Sequence, residues 1–254
     1  MKKNYTHLSI LIDRSGSMTS IKKSIIEGFN TLINDQKKEP GELTVSLIQF
    51  DSYYQSYTNG LYGGIAGTFT GKQSLRYIDV NDFANLDSVT LLNESNYQPE
   101  GGTPLNDSLA RLIKETGDKL ALMREEDRPE KVIVVVMTDG EENTSTEHTT
   151  QSVKTMIEHQ EKIYNWKFIY IGANQDAFGE AKSRGMSGAL NFTANHTGTT
   201  AAYMATTNTL SSMRGATMDS FMSTDYSEEL GSTYAIALEK EEKKEKEKKP
   251  VKTK

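Results

Sequence analysis

The chain has 254 residues, 35 acidic against 29 basic side chains for a net charge of −6, and no cysteine. That length allows one large domain or two small ones with room for a real core. The missing cysteine excludes disulfides, thiolate metal sites and a cysteine nucleophile. No stretch approaches the roughly 20 apolar residues of a membrane span, and no signal-like apolar core follows the basic start Met1-Lys2-Lys3. The residues from Glu239 on hold eight Lys and five Glu and carry +3, which leaves −9 on the body. An acidic body argues against general nucleic-acid binding, which needs a basic surface. A cytoplasmic protein with no nucleic-acid or membrane partner is the expectation.

The first strong signal is Leu8-Ser9-Ile10-Leu11-Ile12, whose nearly continuous apolar character is that of a strand buried on both faces of a parallel sheet. We expect a strand over 6–13. The chain then turns polar in Asp13-Arg14-Ser15-Gly16-Ser17-Met18, with a carboxylate at the strand's end, hydroxyls two and four residues on, and Gly16 to allow a tight turn. Ile21, Ile25, Phe29, Leu32 and Ile33 follow at helical spacing and predict a helix over about 19–37. Pro40-Gly41 marks a turn. A second strand is expected over Leu43 to Phe50, and the polar-aromatic 52–58 reads as an edge strand.

Residues 59–90 are rich in glycine and less regular. Gly67-Thr68-Phe69-Thr70-Gly71-Lys72-Gln73 invites comparison with a phosphate-binding loop. Its glycines are one residue too close and Gln73 stands where Ser or Thr is required, so that reading is rejected. An ordinary loop, or a hairpin turning at Gly71-Lys72, is expected instead. The tyrosines Tyr53, Tyr54, Tyr57, Tyr62 and Tyr77 either pack this edge or offer a contact surface.

Gly101-Gly102-Thr103-Pro104-Leu105 opens the next helix, with Thr103 as cap, Pro104 in the first turn, and Leu105, Leu109, Leu112 and Ile113 as the buried stripe. Val132 to Met137 is the most apolar run of the chain and ends in Thr138-Asp139-Gly140. Further elements are expected as a helix over 147–164, a strand over 166–171, a short helix over 177–184, a strand over 189–192 and a helix over 197–213. This alternation predicts a doubly wound α/β sheet with helices on both faces. Beyond Gly215 the periodicity fades. We expect a domain over 1–215, then a linker and a solvated, disordered Glu/Lys tail over 216–254.

Asp13, Ser15 and Ser17 form a hard-oxygen set. It suits Mg²⁺, which wants near-octahedral oxygen ligands and keeps waters, better than any soft metal. One loop supplies too few ligands. Thr103 and Asp139 lie at junctions expected on the same edge of a parallel sheet. Singly, Thr103 reads as a cap, Asp139 as a turn residue, and Ser15 and Ser17 as turn or cap residues; together the five favour a metal. His7, His148, His159 and His196 show no zinc spacing, and no base accompanies Ser15 or Ser17.

The combination of D-x-S-x-S at Asp13 to Ser17, the Thr of GGTPL and the Asp of TDG resembles the metal-ion-dependent adhesion site of von Willebrand factor A (vWA) domains. Order and spacing match over roughly residues 5–213. The segment Phe168 to Ala177 is similar to one in stand-alone prokaryotic and phage members. The resemblance implies a Rossmann-like vWA fold whose edge strand, here 52–58, runs antiparallel, followed by an insertion over about 59–90. It implies that Ser15, Ser17 and Thr103 bind Mg²⁺ directly (Mn²⁺ or Ca²⁺ being possible), and that Asp13 and Asp139 act directly or through water. It further implies a non-enzymatic module whose metal takes an Asp or Glu of a partner protein. The alternatives are a scaffold whose partner binds the 59–90 insertion, and a metallohydrolase, for which no second metal or general base can be named.

Overall fold

The apolar runs of the sequence lie side by side in one sheet. In the computed structural model, which describes residues 1–55, 72–173 and 176–248, the strands are β1 (Lys2–Asp13), β2 (Glu42–Gln55), β3 (Lys72–Asn85), β4 (Pro129–Thr138), β5 (Lys167–Ala173) and β6 (Gly188–Phe192). Their order is β3-β2-β1-β4-β5-β6. Every neighbouring pair is parallel except β2 with β3. The chain thus adopts the doubly wound, mostly parallel, Rossmann-like sheet with one antiparallel edge strand expected from its sequence.

Helices α1 (Lys22–Gln36) and α5 (His196–Gly215) cover one face; α2 (Leu105–Leu122), α3 (Thr150–Tyr164) and α4 (Ala177–Ser183) cover the other. Strand alternation divides the core accordingly. Leu8, Ile10 and Ile12 join Phe29 and Leu210 on the first face, while Leu11, Val134 and Val136 join Leu109 and Ile157 on the second. Both faces are buried, which is why the central strands read as nearly unbroken apolar runs. Among the described residues no helix is long and apolar enough to cross a membrane.

Three expectations are corrected. Residues 52–55 continue β2, and the antiparallel edge strand is β3, drawn from the segment read as an insertion. The reason is pairing: Asp51 to Tyr54 find partners in Arg76 to Gln73, which satisfies a polar stretch that looked like an unpaired edge. Lys72 therefore lies inside a strand rather than in a hairpin turn; Tyr57, Tyr62 and the glycine-rich 60–71 lie outside the described residues. Second, the chain beyond Gly215 is helical, as α6 (Met218–Ser223) and α7 (Tyr226–Lys248). Phe221, Tyr226 and Leu230 are buried and extend the core shared by α1 and α5, and Ala237 is buried as well. Phe221 on α6 and Tyr226, Leu230 and Ala237 on α7 bury enough apolar surface to dock the segment, although its average composition is polar. Third, α2 begins at Leu105 with Pro104 at its N-cap, and no side chain caps it, so the Thr103 hydroxyl is free of the capping role.

A buried lysine closes the far end of α5. Lys131, on β4, donates from Nζ to the carbonyls of Met213 (3.0 Å), Arg214 (2.8 Å) and Ala216. A cation here satisfies orphan carbonyls and meets the negative end of the helix dipole.

Candidate metal centre at the carboxyl edge of the sheet

β1 feeds β2 on one side and pairs with β4 on the other, so the winding reverses between β1 and β4. Open α/β sheets bind ligands outside the strand ends at such a point. The register Ile12↔Met137 sets Asp13 level with Thr138 and brings Asp139 beside the loop that follows β1.

Asp13 is fully buried. Its Oδ1 accepts the Ser15 N–H at 2.6 Å and its Oδ2 accepts the Thr138 hydroxyl at 2.6 Å. The Tyr97 hydroxyl donates to its main-chain oxygen at 2.7 Å. Ser15 Oγ and Ser17 Oγ lie 3.0 Å apart, and Ser17 donates to Asp139 Oδ1 at 2.6 Å. Burial pushes the Asp13 carboxyl up to about 7, against the pull of the Thr138 and Ser15 hydrogen bonds, and burial raises Asp139 as well. Among the described residues neither carboxylate has an ion-pair partner. Two carboxylates without a cation, ringed by hydroxyls, make a site that a divalent ion would compensate.

Thr103 reaches the same place from the opposite loop. Gly101 has φ +72°, and a Cβ there would stand 1.8 Å from the Ser52 carbonyl oxygen, so only glycine lets this loop lie against the end of β2. Gly102 then pairs with Ser52: Ser52 N–H donates to Gly102 O at 3.1 Å, and Gly102 N–H donates to Ser52 Oγ at 2.9 Å. Thr103 N–H donates to Asn143 Oδ1 at 2.8 Å while Asn143 N–H donates to Thr103 O at 3.2 Å.

The oxygens converge on Gly140. A Cβ built there would lie 2.9 Å from Thr103 Oγ1 and 3.6 Å from both Asp13 Oδ2 and Ser17 Oγ. Oxygens from two separate loops therefore bound one small space, beside a backbone position without a side chain on a third loop. Thr103 and Asp13 are buried while Ser17 is exposed, so the space opens on one side. Among the described residues no group of three or more His, Cys, Asp or Glu has metal-site spacing. The donor set is instead two carboxylates and three hydroxyls, which fits Mg²⁺ or Mn²⁺ and not a soft ion.

All five sequence-predicted residues are thus brought together. Sequence reasoning missed the side chains that hold them. Thr138 was visible only as part of the TDG motif, yet its hydroxyl orients Asp13 and accepts the Gly140 N–H at 3.1 Å. Asp107, in the first turn of α2, accepts the N–H groups of Thr146 (2.7 Å), Glu147 (3.0 Å) and His148 (2.7 Å). Glu142 accepts the Asn106 N–H at 2.7 Å. These carboxylates staple the 140–148 loop to α2, and nothing in spacing or composition marks them. The histidines are elsewhere: His7 is buried between Thr44 and Ser9, and His196 bonds Ser24.

No protein-family model matches the chain, and no curated protein matches it in sequence. Solved structures of similar fold include a von Willebrand factor type A protein from Catenulispora acidiphila, at 13% identity and TM-score 0.47, covering 84% of this chain and 43% of that one. The manganese-loaded TRAP protein of Plasmodium vivax is 17% identical at TM-score 0.47, covering 79% of this chain and 72% of that one. Proximal thread matrix protein 1 of the mussel byssus is 12% identical at TM-score 0.43, covering 87% and 46%. The chain spans less than half the length of the first of these. These are likenesses of fold, and the fold class itself rests on the sheet order and register described above.

Proposed function

We propose that this chain is a metal-dependent protein-interaction module of the vWA type. In this reading Ser15, Ser17 and Thr103 hold Mg²⁺ or Mn²⁺ through their hydroxyls, with Asp13 and Asp139 binding directly or through water. The observation that carries the reading is the convergence of Thr103 Oγ1, Asp13 Oδ2 and Ser17 Oγ around Gly140. When bound, the ion supplies an open coordination position that a partner's Asp or Glu can fill. The chain's own residues do the rest: the carboxylates attract the cation, the hydroxyls add ligands without adding charge, and the exposed Ser17 side leaves an approach for the partner.

The test begins with calorimetric titration of Mg²⁺ and Mn²⁺ into the wild type and Asp13→Ala. Saturable binding in the wild type, lost in the variant, supports the site. Partner capture with Mg²⁺ and with chelator follows. A partner held equally well in chelator would refute the metal as the grip.

A further inference from the structure

Beside the metal residues lies a ring of four charges that the proposed site does not use. Arg14, the residue after Asp13, is buried, and its Nε stands 2.8 Å from Oδ2 of the fully buried Asp51 at the carboxyl-edge part of β2. Arg76 on β3 approaches the other oxygen of the same carboxylate, Nε to Oδ1 at 3.2 Å. Arg76 Nη1 also pairs with Glu100 Oε1, and Arg14 Nη2 closes the ring on that oxygen at 3.5 Å. Two guanidiniums and two carboxylates alternate and sum to zero charge.

The ring joins the two loops whose separation defines the proposed site. Arg14 follows Asp13 and precedes Ser15; Glu100 precedes Gly101-Gly102-Thr103. Their backbones are stitched at the same points: Glu100 N–H donates to Arg14 O at 2.7 Å and Gly16 N–H to Gly101 O at 3.1 Å. The Thr103 segment is held to Ser52 and Asn143 as well, but among the described residues only these two bonds and the ring tie its leading end, at Glu100 and Gly101, to Arg14 and Gly16 of the Asp13 loop. The ring has an electrostatic consequence as well. An unpaired guanidinium next to Asp13 would repel a divalent cation; Asp51 and Glu100 hold Arg14 and cancel its charge.

We propose, building on the metal reading, that Arg14, Asp51, Arg76 and Glu100 are positioning residues for the metal centre. They hold the Thr103 loop in register with the Asp13–Ser17 loop and link the β2–β3 edge to metal affinity. Arg76 acts through Asp51 and Glu100, contributed by the edge strand and touching none of the five metal residues. Its guanidinium also lies 5.4 Å from the centre of the Tyr53 ring, so a partner seated on Tyr53 would feel the same cation.

The experiment measures Mn²⁺ affinity by calorimetry and by the paramagnetic resonance line shape of bound Mn²⁺, for wild type, Arg76→Gln, Arg76→Lys and Glu100→Gln. Melting temperatures are taken in chelator. Arg76 and Glu100 are partly exposed, so both Gln variants should fold, with melting in chelator within about 4 °C of wild type. The expected result is an affinity loss of about tenfold in Arg76→Gln and Glu100→Gln with an altered line shape, and substantial recovery in Arg76→Lys. Unchanged affinity in both Gln variants, in a wild type that binds Mn²⁺, overturns the positioning role alone. A loss of affinity matched by an equally large loss of stability in chelator reduces the ring to a structural brace and overturns it too. Failure of the wild type to bind Mn²⁺ overturns the metal reading and this one with it.

Discussion

Gly140→Ala is the sharpest perturbation of the proposed centre, because it adds a single methyl group where the oxygens converge. The new Cβ would stand 2.9 Å from Thr103 Oγ1 and 3.6 Å from Asp13 Oδ2 and Ser17 Oγ. Gly140 is not among the glycines with positive φ, so the backbone accepts alanine without strain. Without metal the substitution gains roughly 0.4–1 kcal/mol by restricting the unfolded chain. It loses about 0.5–1.5 kcal/mol if the Thr103 side chain must leave its rotamer. The two nearly cancel, so melting in chelator should move by no more than about 4 °C. With metal the balance changes. An ion at 100 times its dissociation constant adds about 2.7 kcal/mol to the folded state, which for a chain of this size is a gain of about 5–11 °C. In Gly140→Ala the methyl fills the space the oxygens surround, and that gain should vanish. The assay is thermal melting of both proteins in chelator and in saturating Mg²⁺. A variant that still gains the full wild-type increment would show that the cradle is not where the ion sits.

Further outcomes follow from other contacts. Thr103→Ala should cost less than about 1 kcal/mol of stability, since no side chain caps α2. If a partner's carboxylate completes the coordination, it should weaken partner binding by about 2–5 kcal/mol, and Thr103→Ser should restore it, both read by titration. Burial pushes His7 down to about 3 from 6.5, with Lys119 adding to the effect. Because the folded value lies below the unfolded one, its contribution is intact above pH 6.5 and is lost as pH falls toward 3. By pH 4.5 it should cost on the order of 2–3 kcal/mol, and denaturant unfolding of His7→Gln at pH 7 and 4.5 should show that much less pH dependence. Lys131→Met leaves the α5 carbonyls without their donor and should destabilise by roughly 2–4 kcal/mol in urea; a loss under about 0.5 kcal/mol would contradict the capping role. Truncation before Tyr226 removes Tyr226 and Leu230 from the core, and the buried Ala237 with them, and should cost on the order of 5 kcal/mol. Truncation before Glu239 lies beyond the last buried residue of α7 among those described and should leave melting nearly unchanged.

What the sequence determined was local and periodic. Leu8 to Ile12 and Val132 to Met137 are almost continuously apolar because both faces of β1 and β4 are buried, so strand and parallel sheet could be read from each run. The carboxyl-edge residues Asp13, Ser15, Ser17, Thr103 and Asp139 were legible because each follows directly from the end of a strand or the start of a helix. Tertiary structure decided what depends on pairing across long separations. Whether 52–58 or 72–85 forms the edge strand turns on a register between β2 and β3 that neither segment encodes alone. The 226–248 helix read as linker and Glu/Lys tail because its composition averages to polar, while docking depends on the few apolar side chains that meet β6, α5 and α6. The supports of the centre, Thr138 on Asp13, Asp107 on the 140–148 loop and the Arg14–Asp51–Arg76–Glu100 ring, are ordinary polar residues in the sequence. They acquire meaning only when folding removes water and brings buried charges and N–H groups from distant segments within reach of one another.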